Sequence, residues 1–291
     1  MFSGVYTALV TPFTQAGGVD YDTLDRLVEA QIAGGVSGIV PVGTTGESPT
    51  LDMDEHIGVI RRVFTQAAGR IQIIAGTGAN STAEALELTA AAKDIGCDAT
   101  LQVTPYYNKP SDRGLLAHFT AVADLGLPVM LYNVPGRAGK ELSFDLIAEC
   151  ARHPNIVSIK EAGGSVDRVS RILSLCPDLN VVSGDDPLTL PMIAVGAKGV
   201  VSVASNAFPE NVVAMVTAAL AGDFATARAL HLEHHALFQA LLSLDTNPLP
   251  IKTALALMGK VEEVFRLPLC PLDPAKREQL ADALRNAGAI A

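Results

Sequence analysis

No CxxC pair occurs among the four cysteines, Cys97, Cys150, Cys176 and Cys270, and their wide spacing argues against a disulfide framework. They read as free thiols in a reducing, cytoplasmic compartment. Basic residues are outnumbered 21 to 31 by acidic ones, a formal net charge of -10. That balance argues against nucleic acid or an anionic membrane as partner. It leaves room for an anionic small molecule, which needs only a few local cations. No run of about 18 apolar residues appears, so no membrane span is expected. The start, MFSGVYTALVTPF, lacks the basic stretch and long apolar core of a signal peptide. There is no GxSxG elbow for a serine hydrolase, no Lys-Ser/Thr pair after the Gly-rich turn at 43–47 to make a Walker loop, and no GxGxxG after the first apolar run. Tryptophan is absent and tyrosine occurs five times, so two adjacent tyrosines at 106–107 stand out.

What the chain does have is length, 291 residues, and apolar content, 49%, enough for a large core. Eight short apolar runs recur: Val5–Val10, Gly38–Val42, Ile71–Ala75, Ala99–Val103, Pro128–Tyr132, Ile156–Lys160, Asn180–Ser183 and Gly199–Val203. Their starts lie 19 to 33 residues apart, about one βα unit. Runs without polar alternation suit parallel strands covered on both faces. Eight such units predict an α/β fold, a (β/α)8 barrel, over residues 1–221; an open doubly wound sheet is the alternative. Leu24, Leu27, Val28 and Ile32 keep helical spacing, and Gly34-Gly35 stops that helix. Asp52 with Glu55, and Ser81 with Glu84, have the spacing of capping boxes. Pro209–Ala221 reads as the eighth barrel helix. Ala225–Leu244, Pro248–Gly259 and Asp273–Ala287 read as a three-helix appendage over residues 222–291, packed on the barrel or on a neighbouring subunit.

Barrel sites lie at the carboxyl ends of the strands, so the turns after each run carry the functional reading. The sixth run ends in Lys160. A lysine closing an apolar strand is costly to charge, and desolvation favours the neutral amine that can attack a carbonyl. The plain alternative is a head that reaches out to water. Gly43-Thr44-Thr45-Gly46-Glu47 follows the second run; its glycines, hydroxyls and turn N–H groups could hold a carboxylate, or it is a tight turn with a helix cap. Tyr106 and Tyr107 lie in a Pro-bounded loop and cannot both enter one core; interface packing is the plain alternative. Tyr132 ends the fifth run, where a phenol can shuttle protons, and Arg137 in the next loop could grip a carboxylate or stand in water. Asp185-Asp186 has no histidine near it in sequence, so no metal is expected there. His231, His234 and His235 read as a solvated or interface face.

These residues also carry a resemblance. GTTGE at 43–47, GTGAN at 76–80, TPYYNKP at 104–110, YNVPGR at 132–137, IKEA at 159–162 and SGDD at 183–186, in order across the chain, resemble the dihydrodipicolinate synthase family. GTTGE, the YNVP tyrosine and the IKE lysine are shared with the wider group of N-acetylneuraminate lyase and sugar-acid aldolases. The tyrosine pair and Arg137 are more specific. The resemblance implies a barrel enzyme that joins pyruvate to aspartate 4-semialdehyde on the lysine and diaminopimelate pathway; the lysine, hydroxyls and arginine at the strand ends themselves suit carbonyl chemistry on small carboxylates without cofactor. It implies Lys160 as the Schiff-base lysine, and Thr44, Tyr107 and Tyr132 as a proton relay with Tyr107 crossing to a neighbouring subunit. Thr45 would hold the pyruvate carboxylate and Arg137 that of the semialdehyde, with Val201 and Gly184 at the pyruvate pocket. A homotetramer built as a dimer of dimers is expected. Ser48, His56, Asn80, Glu84 and Tyr106 match the family's lysine effector site. Departures are Pro49 and Met53 beside that site, and Ala138 after Arg137. A pyruvate-dependent sugar-acid aldolase and a non-catalytic ligand-binding barrel are the competing readings.

Overall fold

The structure, a computed structural model, describes residues 2–291. In chain order its elements are β1 Gly4–Ala8, α1 Tyr21–Ala33, β2 Gly38–Val40, α2 Met53–Ala67, β3 Gln72–Gly76, α3 Thr82–Ile95, β4 Ala99–Val103, α4 Asp112–Ala123, β5 Val129–Asn133, α5 Pro135–Ala138, α6 Phe144–Cys150, β6 Ile156–Glu161, α7 Val166–Leu175, β7 Asn180–Ser183, α8 Thr189–Ala194, β8 Gly199–Ser202 and α9 Pro209–Leu220. Then follow α10 Phe224–Ser243, α11 Leu249–Leu257 and α12 Pro274–Asn286. Every apolar run is a strand, all neighbours are parallel, and β8 closes on β1 through Gly4 opposite Gly199. The open-sheet alternative is excluded.

Closure explains the unbroken apolar runs. One set of strand side chains faces the helices: Val5, Ile39 and Ile73 on one side of the barrel, Leu131, Ile159 and Val181 on the other. The alternate set, including Tyr6, Val40, Ile74, Leu101, Met130 and Val182, fills the barrel interior. Both faces of each strand are therefore dry. Tyr6 packs edge-on to Phe2, and its hydroxyl donates to Gln72 Oε1 at 2.5 Å, which plugs the amino-terminal end.

Helix starts follow their sequence signals with one exception. The Asp52–Glu55 capping box forms in both directions. Ser81 precedes α3, but its side chain makes no cap hydrogen bond, so the second box is not formed; Glu84 instead lines a cavity with Tyr106. α1 ends at Gly34, and Gly35 takes φ +77°, the left-handed conformation that glycine adopts freely. The C-terminal helices lie against the barrel: α10 on α9, with α11 and α12 on α10. Leu237, Phe238, Leu241, Ile251, Leu255, Leu280 and Leu284 join the core that α1 and α2 share. Of the histidine trio on α10, His235 is exposed, whereas His234 is buried and pairs with Asn211 at 3.0 Å, so the face is not wholly solvated. The four cysteines are free. Among the described residues no helix is long and apolar enough to cross a membrane.

Candidate active site

A cavity of about 430 Å³ opens at the carboxyl ends of the strands. Lys160 stands in its wall. Strand register fixes its direction: Tyr132 on β5 and Val182 on β7 pair with Lys160, and both lie in the barrel interior. The neighbouring Glu161 points outward by alternation, where Asn133, Arg168 and the Gly163 N–H take up its carboxylate. Lys160 is only 5% exposed, so it does not reach into bulk water. Burial pulls its ammonium down to about 7; the Asp186 charge opposes this and the Arg137 charge adds to it. Its Nζ lies 4.2 Å from the Tyr132 ring centroid. Gly184 makes room for it, because a Cβ there would come within 2.8 Å of Lys160 Cε.

Asp186 is buried, yet its oxygens are committed elsewhere. Oδ1 accepts from Ser202 Oγ at 2.5 Å, and Oδ2 from the N–H groups of Val203 and Ala204 at 3.0 Å each. Asp185 accepts from the Leu188 N–H and ends β7 locally. The acidic pair thus organises the ends of β7 and β8.

Tyr132, the last residue but one of β5, is buried. Burial raises its phenol to about 12, opposed by the Arg137 charge and a hydrogen bond with Thr44, so it is a neutral proton donor at ordinary pH. The Thr44-Thr45-Gly46 segment is a single 3-10 turn rather than a capped helix start. Val42 before it takes φ 53°, an unfavourable conformation for a β-branched residue that costs on the order of 1–3 kcal/mol. Gly76 lies directly opposite, where a Cβ would come 2.5 Å from the Val42 carbonyl. Thr45 is buried beside the cavity and Thr44 is partly exposed to it. Arg137, on the short α5, is exposed and donates from Nη2 to the Asn247 carbonyl at 2.8 Å.

One expected residue lies deeper, and another faces away from this chain. Val201 is buried among the interior side chains, and Val203, just past the end of β8, lines the cavity. Tyr107 is 90% exposed, at φ +73°, and does not enter this chain's own cavity. Tyr106 turns inward instead. It lines a separate cavity of about 140 Å³ with Ser48, His56 and Glu84, bordered by Pro49 and Met53. Asn80 does not line it but donates to the Tyr106 carbonyl at 3.3 Å and so holds the loop. A third cavity, about 180 Å³, lies between the two: Thr44, Tyr132 and Arg137 border it on one side, Ser48 and Tyr106 on the other.

Sequence reading missed the C-terminal contribution. Gln239 and Ser243 of α10 and Asn247 after it line the main cavity. Behind the threonines, Glu47 is buried and pairs with Lys252 of α11 at 2.5 Å. Arg266 donates to the carboxylate of Glu55 and the carbonyls of Gly17 and Thr50. A lysine inside the apolar stretch LPIKTALAL was a visible signal of that pair; Asn247 gave none.

A sequence model described as the Dihydrodipicolinate synthetase family matches residues 1–287. The 4-hydroxy-tetrahydrodipicolinate synthase of Geobacter sulfurreducens is 51% identical over 288 residues, 98% of this chain and 99% of that protein. That of Methanoculleus marisnigri is 49% identical over 292 residues, 99% and 100% of the two chains. A structure of the Acinetobacter baumannii synthase complexed with pyruvate matches with a TM-score of 0.97 at 46% identity, over 100% of both chains. One from Cyanidioschyzon merolae with lysine bound matches with a TM-score of 0.95 at 41% identity, over 99% of both.

Proposed function

Because the chain belongs to the dihydrodipicolinate synthetase family, we propose that the cavity at Lys160 is its active site and that its named residues divide the chemistry as follows. The enzyme condenses pyruvate with L-aspartate 4-semialdehyde to 4-hydroxy-tetrahydrodipicolinate on the lysine and diaminopimelate pathway. The neutral Lys160 amine attacks the pyruvate ketone, and loss of water leaves an iminium. The iminium draws electrons from the methyl group, which loses a proton to give an enamine. The enamine attacks the aldehyde carbon of the second substrate. Tyr132 and Thr44 carry protons between these steps, joined by Tyr107 of a second copy. The substrate's own amine then closes the ring and releases Lys160. Thr45 holds the pyruvate carboxylate, Arg137 that of the semialdehyde, and Gly184 with Val203 shapes the pocket.

The observation that carries this reading is the buried Lys160, with its amine basicity lowered to about 7 in a cavity that also presents Tyr132, Thr44 and Arg137. A coupled assay with both substrates tests it. Turnover is expected. Cleavage of a 2-keto-3-deoxy sugar acid in its absence would transfer the enzyme to the sugar-acid aldolases.

Residues 1–221 are taken as the catalytic barrel and 222–291 as an appended helical region that finishes the cavity wall. The exposed Tyr107 supports a dimer as the least active unit, two dimers making a tetramer, in a reducing cytoplasm. The cavity at Ser48, His56, Glu84 and Tyr106 suits the ammonium and carboxylate groups of lysine as a feedback effector. Lysine should lower turnover in the native enzyme, and Glu84→Ala should abolish that response while turnover persists. Inhibition unchanged in the variant would remove the assignment.

A further inference from the structure

A threonine hydroxyl has one proton, and it can be spent in one direction only. Thr45 Oγ1 receives the side-chain N–H of Asn247 at 2.9 Å, across a sequence separation of 202 residues. With a donor already on its oxygen, the hydroxyl keeps its proton for the cavity. The Asn247 backbone carbonyl takes Arg137 Nη2 at 2.8 Å, so this one residue touches both anion-binding groups. The segment is held on either side. Glu47, two residues after Thr45, is paired with Lys252, five residues after Asn247. Asn247 Oδ1 is buried and has no partner within the described residues. Turning the amide round would put its oxygen on Thr45 and both N–H hydrogens where the oxygen now stands without a partner, and would draw the Thr45 proton away from the cavity.

We propose that Asn247 is a positioning residue: it donates to Thr45 and thereby sets the hydroxyl to donate to the carboxylate of the 2-oxo acid substrate. This rests on the reading of Thr45 as the pyruvate-carboxylate contact. The consequence is a dependence on the polarity of residue 247, beyond its size. Asn247→Ala frees the hydroxyl to rotate. Asn247→Asp keeps the shape and reverses the bond, so that Thr45 donates to the new carboxylate and turns its lone pairs to the substrate.

The experiment measures half-saturation by pyruvate in both turnover and borohydride trapping, for Asn247→Ala and Asn247→Asp, each also in a Thr45→Val background. The expected result is a rise of about 3–10-fold for alanine and about 10–100-fold for aspartate, the scale of losing one hydrogen bond and of misdirecting one to a charged group. kcat at saturating pyruvate stays within about threefold. In the Thr45→Val background, alanine at 247 has no further effect. An unchanged half-saturation in Asn247→Ala, an equal rise in both backgrounds, or a fall in kcat alone would overturn the proposal. Absence of turnover in the wild-type protein would instead fault the assigned reaction, and trapping by pyruvate would still decide the role of Asn247.

Discussion

Two lysines are buried in this protein, and they live in opposite circumstances. Lys160 and Lys252 are both desolvated, and each lies over an aromatic face, Tyr132 at 4.2 Å and Phe13 at 4.0 Å. In both, burial pushes the ammonium below its ordinary value and a carboxylate opposes the shift. The difference is where that carboxylate stands. Glu47 meets Lys252 directly at 2.5 Å. Asp186 has its oxygens tied to Ser202, Val203 and Ala204, and acts on Lys160 through its charge. Lys252 therefore remains a cation that ties α11 to the turn after β2. Lys160 is left with an amine that can deprotonate near neutrality, beside an open cavity. Burial lowers both amines, to about 7 at Lys160 and about 8 at Lys252; what separates them is the direct Glu47 partner of Lys252 and the cavity that Lys160 faces.

The same substitution at the two sites should separate them most widely. Lys160→Met should cut turnover by on the order of 10⁴-fold or more, the scale of losing a covalent nucleophile. It removes a group whose charged form burial disfavours, so thermal denaturation should show unchanged or raised stability. Lys252→Met strands Glu47 and should cost about 3–5 kcal/mol, read in denaturant unfolding. Adding Glu47→Gln should recover a good part of that loss, since the remaining partners are then neutral. Equal stability effects at both lysines would erase the contrast.

A smaller effect lies in pH dependence. The reactive form of Lys160 is neutral, so the rate of pyruvate trapping should rise about tenfold per pH unit below 7 and level off above it. An ordinary lysine would keep climbing towards its usual value near 10.5. Asp186 is the neighbouring group that raises the Lys160 basicity, so Asp186→Asn should move the inflection to lower pH. Movement to higher pH would contradict the electrostatic account.

The barrel was legible because closure buries both faces of every strand, and that writes itself into sequence as eight unbroken apolar runs. Lys160, Tyr132, Thr44 and Arg137 were legible because each sits at or just after the end of such a run, and strand register brings Tyr132 and Lys160 side by side. Contacts made across long separations were not. Asn247 meets Thr45 from 202 residues away, on a loop with no local signal. Lys252 carried the same mark as Lys160, a cation in an apolar stretch, but its partner Glu47 is 205 residues distant. Val201 lies within β8 and Val203 just past its end, a boundary that an unbroken apolar run does not mark. Ser81 had the spacing of a cap, yet Glu84 faces a cavity instead.

The most direct measurement is peptide mapping by mass spectrometry after incubation with pyruvate and borohydride. The account predicts a single reduced pyruvate adduct on the peptide carrying Lys160 and none on the peptide carrying Lys252. An unlabelled protein, or a label on any other lysine, would contradict it.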